Sequence, residues 1–226
     1  MPAAATHDSL VTLSQPDSAF AEEFRRLRTN VQFADVDRPL RTLAVAASQA
    51  GDGKSTTAAN LAVAFAQAGK QVALVDADLI HPAQHIIFGI ENDRGLTDAL
   101  NGDASVDLLL CDTVAPGVRL LPAGTRMPNP AQLLNSVHME VLIARLGEFS
   151  DVIIVDTPAI ADLADSALLA GKLDGVLLVA DSGRSRRADV RDARDLLTRV
   201  HAHILGVVLT HDEGQGGLLR WGFGRG

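Results

Sequence analysis

The chain has 226 residues, 47% of them hydrophobic, a formal net charge of −8 and a single cysteine. That apolar share excludes a disordered polymer and is enough for one substantial core. The acidity argues against broad attraction to nucleic acid, and the lone Cys111 admits no intrachain disulfide, in keeping with a reducing cytoplasm. The longest apolar runs, VALV and GVLLVA, fall far short of the ~20 residues that span a bilayer. The first 18 residues lack the basic-then-apolar pattern of a secretory signal. A cytoplasmic protein is expected.

Residues 1–17 are small and polar and are expected to be flexible, ahead of one domain over 18–211. A helix opens that domain, with Asp17 or Ser18 as N-cap and Phe20, Phe24, Leu27 and Val31 at helical spacing. The segment ADVDRP at 34–39 ends it, because proline lacks a backbone donor. Short β-rich apolar runs then alternate with longer segments. The runs are 42–47, 72–76, 118–121, 152–156, 175–180 and 203–209; the helical segments lie at about 55–68, 130–147, 163–170 and 186–200. Continuous apolar strands alternating with helices predict an α/β fold, a mostly parallel sheet of about six to eight strands with helices on both faces. The glycine-rich residues 212–226 are expected to be a flexible tail.

The first strand leads into SQAGDGKST and then a helix. Glycines in such a turn let backbone N–H groups approach phosphate oxygens, and the helix points its positive end at the anion. The strict pattern G-x-x-x-x-G-K-[ST] fails only at its first position, where Ser48 stands for glycine. Ser48, Gln49, Ala50, Gly51, Asp52, Gly53, Lys54, Ser55 and Thr56 are therefore candidate nucleotide-binding residues. Lys54 would reach the β- and γ-phosphates and Ser55 would ligate Mg²⁺. Two later strands end in acid: VALVDADL in Asp76 and Asp78, and VIIVDTP in Asp156. In open α/β sheets ligands sit at the carboxyl ends of strands. Carboxylates there can hold Mg²⁺ or orient and deprotonate a nucleophile.

The trio GDGKST, VDAD and IIVDTP resembles the bacterial tyrosine kinases of capsule and exopolysaccharide synthesis, a branch of the P-loop NTPases. Three further features carry the resemblance over residues ~18–210. Gln49 stands where the cell-division and partition ATPases have a signature lysine, Glu22-x-x-Arg25-x-x-Arg28 precedes LRTNVQF, and LPAGTRMPNPAQLLNS occupies 121–136. The resemblance implies that Lys54, Ser55 and Thr56 serve ATP and Mg²⁺. It implies that Lys54, Asp76 and Asp78 carry the chemistry, the two aspartates serving the metal and the attacking hydroxyl, and that Asp156 completes the metal site with Ser55. It further implies a ring-like homo-oligomer in which the Glu22/Arg25/Arg28 helix packs on a neighbour, recruitment to the inner membrane face, and a membrane-embedded polysaccharide chain-length regulator as partner. An ordinary solvated stripe is the plain alternative for that helix.

The family phosphorylates itself on a C-terminal tyrosine cluster, and none of these 226 residues is a tyrosine. No serine or threonine follows Thr210 either. Phosphotransfer is therefore possible only to tyrosines of other chains. The alternative is a nucleotide-gated assembly switch without kinase activity, with a partition-type ATPase third. Two lesser departures are LIHP after Asp78, where the family places arginines before the proline, and Thr210, where an asparagine near the adenine is expected. His81 and His85 are too few for a metal site, and one cysteine argues against iron–sulfur carriers. GRSRRADVRDARD, with five arginines and three aspartates, reads as a solvated helix face or, failing that, a contact for an acidic partner or anionic lipid.

Overall fold

The computed structural model describes residues 9–34, 39–211 and 219–222. Among these, eight strands form one sheet: β1 (Thr42–Ala47), β2 (Val72–Asp76), β3 (Cys111–Asp112), β4 (Val118–Leu121), β5 (Val152–Asp156), β6 (Gly175–Asp181), β7 (Ile204–Thr210) and β8 (Leu219–Gly222). Their spatial order is β3-β4-β2-β5-β1-β6-β7-β8. Only the outermost pairs, β3 with β4 and β8 with β7, run antiparallel. The six apolar runs expected to be strands are β1, β2, β4, β5, β6 and β7.

Strand side chains alternate between faces, so each central strand feeds two cores. Leu43, Val45, Leu74, Ile154, Leu177 and Val179 join one; Ala44, Ala46, Ala73, Val75, Ile153 and Leu178 join the other. The first core is covered by α2 (Ala19–Gln32) and α3 (Lys54–Gln67), with the short α1 (Val11–Ser14) beside them. On the opposite face lie α5 (Leu96–Asn101), α7 (Val137–Leu146), α8 (Ser166–Gly171) and α9 (Arg187–Arg199). Two short helices, α4 (Gln84–Phe88) and α6 (Pro130–Leu134), complete the described set. The expected helix over 130–147 is two, because Asn135 ends α6 and Ser136 caps α7, its hydroxyl accepting from Met139 N.

α3 is buried on nearly every side, ten of its residues being inaccessible, rather than amphipathic. The sheet takes one side and α2 the other, through Phe24, Leu27 and Val31. Of the two candidate caps, Ser18 starts α2: its Oγ accepts from Ala21 N at 3.1 Å. The helix ends at Gln32, and residues 35–38 of the expected stop signal lie outside the described residues.

Two expectations about the ends are corrected. Residues 10–14 belong to the fold, because Asn60, fully buried in α3, needs partners. Its Oδ1 accepts from Thr12 N (3.0 Å) and Thr12 Oγ1 (2.8 Å), and its Nδ2 donates to Ser9 O (2.7 Å) and Thr56 O (2.9 Å). At the other end, Leu219–Gly222 pair with Val207–Thr210 instead of forming flexible tail. An unpaired β7 would expose a row of backbone donors and acceptors. The rest of the tail, 212–218 and 223–226, lies outside the described residues.

Candidate functional site

β1 sits between β5 and β6, so the loop leaving it emerges beside the end of β5, with β2 next along. Register sets Val45 against Asp156 and Asp76 against Asp156, which brings two acids 80 residues apart side by side. The loop itself turns on two left-handed glycines, Gly51 at φ 87° and Gly53 at φ 91°. Gly53 is the N-cap of α3, and a Cβ there would lie 3.1 Å from Thr210 Cγ2. Ser48, at the position of the pattern's first glycine, donates through its Oγ to Asp52 Oδ2 at 3.1 Å.

Lys54, the first residue of α3, is 5% exposed. Its ammonium donates to Asp78 Oδ2 at 2.6 Å, Ser55 Oγ at 3.2 Å and Asp156 Oδ1 at 3.3 Å. Burial alone would lower its pKa, but Asp156 and Asp78 more than offset that and hold the ammonium above its ordinary value. Asp76, fully buried, accepts from Ala83 N (3.1 Å), Gln84 N (2.9 Å) and Asp78 N (3.3 Å). Burial, reinforced by the neighbouring Asp156 charge, pushes Asp76 well above the carboxylate range despite those donors and Lys54. Asp78 Oδ1 accepts from Ile80 N and His81 N, which fixes the turn after β2.

The predicted residues Lys54, Ser55, Asp76, Asp78 and Asp156 are thus brought together, but around the ammonium. Among the described residues no three His, Cys, Asp or Glu side chains stand as a preformed metal cage. The donor set still suits a divalent cation: two buried carboxylates, Asp78 and Asp156, pair with one positive charge, and a third, Asp76, lies beside Asp156. Sequence reasoning missed Gln84, which is fully buried and links the parts. Its Nε2 donates to Asp156 Oδ2 (2.8 Å) and Ser55 O (3.0 Å), while its buried Oε1 finds no partner among the described residues. No spacing in the chain marks it, since it lies in a five-residue helix.

Thr210 Oγ1 donates to the Asp52 carbonyl at 3.0 Å, so it braces the loop rather than facing outward. Beside it, a cavity of about 130 Å³ is lined by Phe20, Phe24, Gly53, Thr56, Thr210 and His211. The three residues of the helix motif sit apart from the carboxylates. Glu22 Oε2 accepts from Arg25 Nε at 2.7 Å, Arg25 Nη1 also donates to Pro16 O, and Arg28 donates to Gln32 Oε1 at 3.4 Å. The Arg25 hydrogen bond holds Glu22 below its usual pKa. His81 is exposed and 3.8 Å from Asp162, away from any cluster of ligands among the described residues.

Comparison with known proteins agrees with this geometry. A family profile described as "NUBPL iron-transfer P-loop NTPase", of the ParA group, matches residues 39–211. The tyrosine-protein kinase YwqD of Bacillus subtilis is 37% identical over 201 residues, 89% of this chain and 85% of that protein. The tyrosine-protein kinase CpsD of Streptococcus agalactiae is 34% identical over 189 residues, covering 83% and 81%. Among solved structures, the chimerical protein CapA2B2 superposes with a TM-score of 0.85 at 34% identity, covering 89% of each chain. The kinase domain of the Escherichia coli tyrosine kinase ETK also reaches a TM-score of 0.85, at 27% identity, over 88% of this chain and 78% of that one.

Proposed function

The chain belongs to the bacterial tyrosine-protein kinase family of the P-loop NTPases, and from that premise we propose that it transfers the γ-phosphoryl group of Mg·ATP to tyrosines of another chain in polysaccharide production. The observation that carries this reading is the buried cluster of Lys54, Asp76, Asp78 and Asp156 at the mouth of the phosphate loop. The acceptor lies elsewhere because these 226 residues include no tyrosine.

When bound, Mg·ATP supplies the phosphoryl group and a cation that neutralises its oxygens. Residues 48–53 would present their N–H groups to the phosphates, and Thr56 lies beside the cavity at Phe20 and Phe24, which fits a nucleobase in size. Lys54 would exchange Asp78 and Asp156 for phosphate oxygens, freeing Ser55 Oγ and those carboxylates to hold Mg²⁺. Gln84 Oε1 is a buried acceptor suited to a metal-bound water. Asp76, whose pKa burial and the neighbouring Asp156 charge raise, is suited to take the proton of an acceptor hydroxyl.

No helix among the described residues is long and apolar enough to cross a membrane. Recruitment to the membrane by a membrane-embedded chain-length regulator, as the family resemblance implies, belongs to the same proposal. So does a ring of copies joined through Glu22, Arg25 and Arg28. Glu22 and Arg25 remain partly exposed on that helix, which leaves their charges accessible to a neighbouring copy. Charge reversal at Arg25 and Arg28 is expected to shift a large assembly to smaller species in light scattering. An unchanged mass would return the helix to a solvated stripe.

The absence of tyrosine also favours a second reading, an ATPase switch that gates assembly. Incubation with γ-labelled Mg·ATP and tyrosine-bearing cytoplasmic segments of a membrane partner separates the two. Label on the segments' tyrosines is the expected result. Free phosphate with no labelled protein would overturn the kinase reading and support the switch.

A further inference from the structure

The arginine-rich run at 183–195 is not wholly a solvated helix face. α9 begins at Arg187, and the preceding residues form a turn after β6 that reaches the phosphate loop. Arg184 Nη1 donates to the Gly51 carbonyl at 3.3 Å, and Ser185 Oγ donates to Asp52 Oδ1 at 2.8 Å. A Cβ on Gly51 would lie 3.0 Å from Arg184 Nη1, so the guanidinium rests directly on the loop.

Asp52 is the reason such a grip is worth having. A carboxylate inside a loop built for anions opposes its ligand, and it is 2% exposed. Its other oxygen takes Ser48 Oγ (3.1 Å) and Gln49 N (3.0 Å), and its backbone carbonyl takes Thr210 Oγ1 (3.0 Å). Asp52 is thus the node at which the loop, the β6–α9 turn and the end of β7 meet. The turn is itself held: Asp181 N donates to Ser185 Oγ (2.7 Å), Ser185 N to Asp181 O (2.8 Å), and Gly183 N to Asp181 Oδ1 (2.8 Å). Ser182 N donates to Thr210 O (3.0 Å), tying the turn to β7.

We infer that Arg184 and Ser185 form a two-point latch that positions the phosphate loop for its nucleotide. The inference rests on the nucleotide-site reading above and adds that affinity is set in part by a turn that sequence motifs assign to no site. Preformed loop geometry lowers the ordering cost of binding. Arg184 and Ser185 are positioning residues, and their loss should weaken ground-state binding of nucleotide without slowing the chemical step.

The test measures Mg·ATP affinity by calorimetry, with kcat and KM for ATP turnover, on Ser185→Ala, Arg184→Met and Arg184→Lys. Ser185→Ala and Arg184→Met are each expected to weaken binding roughly five- to tenfold, the worth of one hydrogen bond to a charged or carbonyl group. KM should rise with kcat unchanged, and Arg184→Lys, which keeps a donor for Gly51, should recover most of the affinity. Wild-type affinity in Ser185→Ala and Arg184→Met, or a fall in kcat with KM unchanged, would overturn the latch. Should the parent protein itself take up no Mg·ATP, the nucleotide reading falls, and amide exchange decides the latch separately. Faster exchange at residues 49–53 in nucleotide-free Ser185→Ala supports it; unchanged exchange overturns it.

Discussion

Lys54→Met is expected to abolish Mg·ATP binding and also to cost the nucleotide-free protein about 3–5 kcal/mol of stability, the usual penalty for removing one partner of a buried ion pair. The second effect follows from where the ammonium sits. Lys54 is 5% exposed and is the cation between Asp78 at 2.6 Å and Asp156 at 3.3 Å. A phosphate-binding lysine that waited in solvent would be removable without structural cost; this one is not. Urea unfolding in chelator at pH 8 measures the deficit. Without the ammonium, the buried Asp76, already above the ordinary carboxylate range, is driven further toward its neutral form. A buried acid with a raised folded pKa stabilises most below its unfolded pKa and loses that contribution as pH rises. The deficit should therefore shrink when the comparison is repeated at pH 5.5. A variant as stable as the parent at pH 8 would mean that water reaches the cluster, and unchanged ATP affinity would remove the phosphate site from the argument.

The parts of this site that could be read from sequence are those whose chemistry forces a local pattern. GDGKST announces itself because a phosphate loop needs glycine at left-handed positions such as 51 and 53. The six buried strands do so because burial on both faces demands unbroken apolar runs such as VIIVD. What escaped lies in elements too short to show a period. α1, α4 and β3 have four, five and two residues, and β8 is four residues within a glycine-rich stretch. Gln84 falls in one of these, and its role depends on three partners at positions 55, 76 and 156 that only the topology assembles. Arg184 escaped for another reason. Among five arginines in thirteen residues, two of them ahead of the helix, nothing singles out the one that bends back onto Gly51. The buried state of Lys54 was likewise invisible, since the motif names the residue but not what it touches between nucleotides.

Asp76→Asn should separate stability from activity with opposite signs. The carboxylate is fully buried and lies beside Asp156, and burial followed by that like charge raises its pKa. Asparagine keeps an oxygen for Ala83 N and Gln84 N, forfeits the long 3.3 Å bond from Asp78 N, and removes a negative charge from beside Asp156. The nucleotide-free variant should melt higher than the parent by a few degrees, at about 2–4 °C per kcal/mol for a chain of this length. Because the parent's acid loses its contribution as pH rises through the raised pKa, the gap should widen from pH 5 to pH 8 in scanning calorimetry. Phosphotransfer should fall by roughly 10²–10⁴, the range for losing a general base. Asp76 and Lys54 belong to one electrostatic unit, so their effects should not add. In Lys54→Met the cluster carries an uncompensated excess of negative charge, and removing the Asp76 charge should return part of the lost stability. A double variant less stable than Lys54→Met alone would mean that Asp76 is neutral in that background and that its carboxyl group holds the turn at residues 83–84 through hydrogen bonding rather than charge.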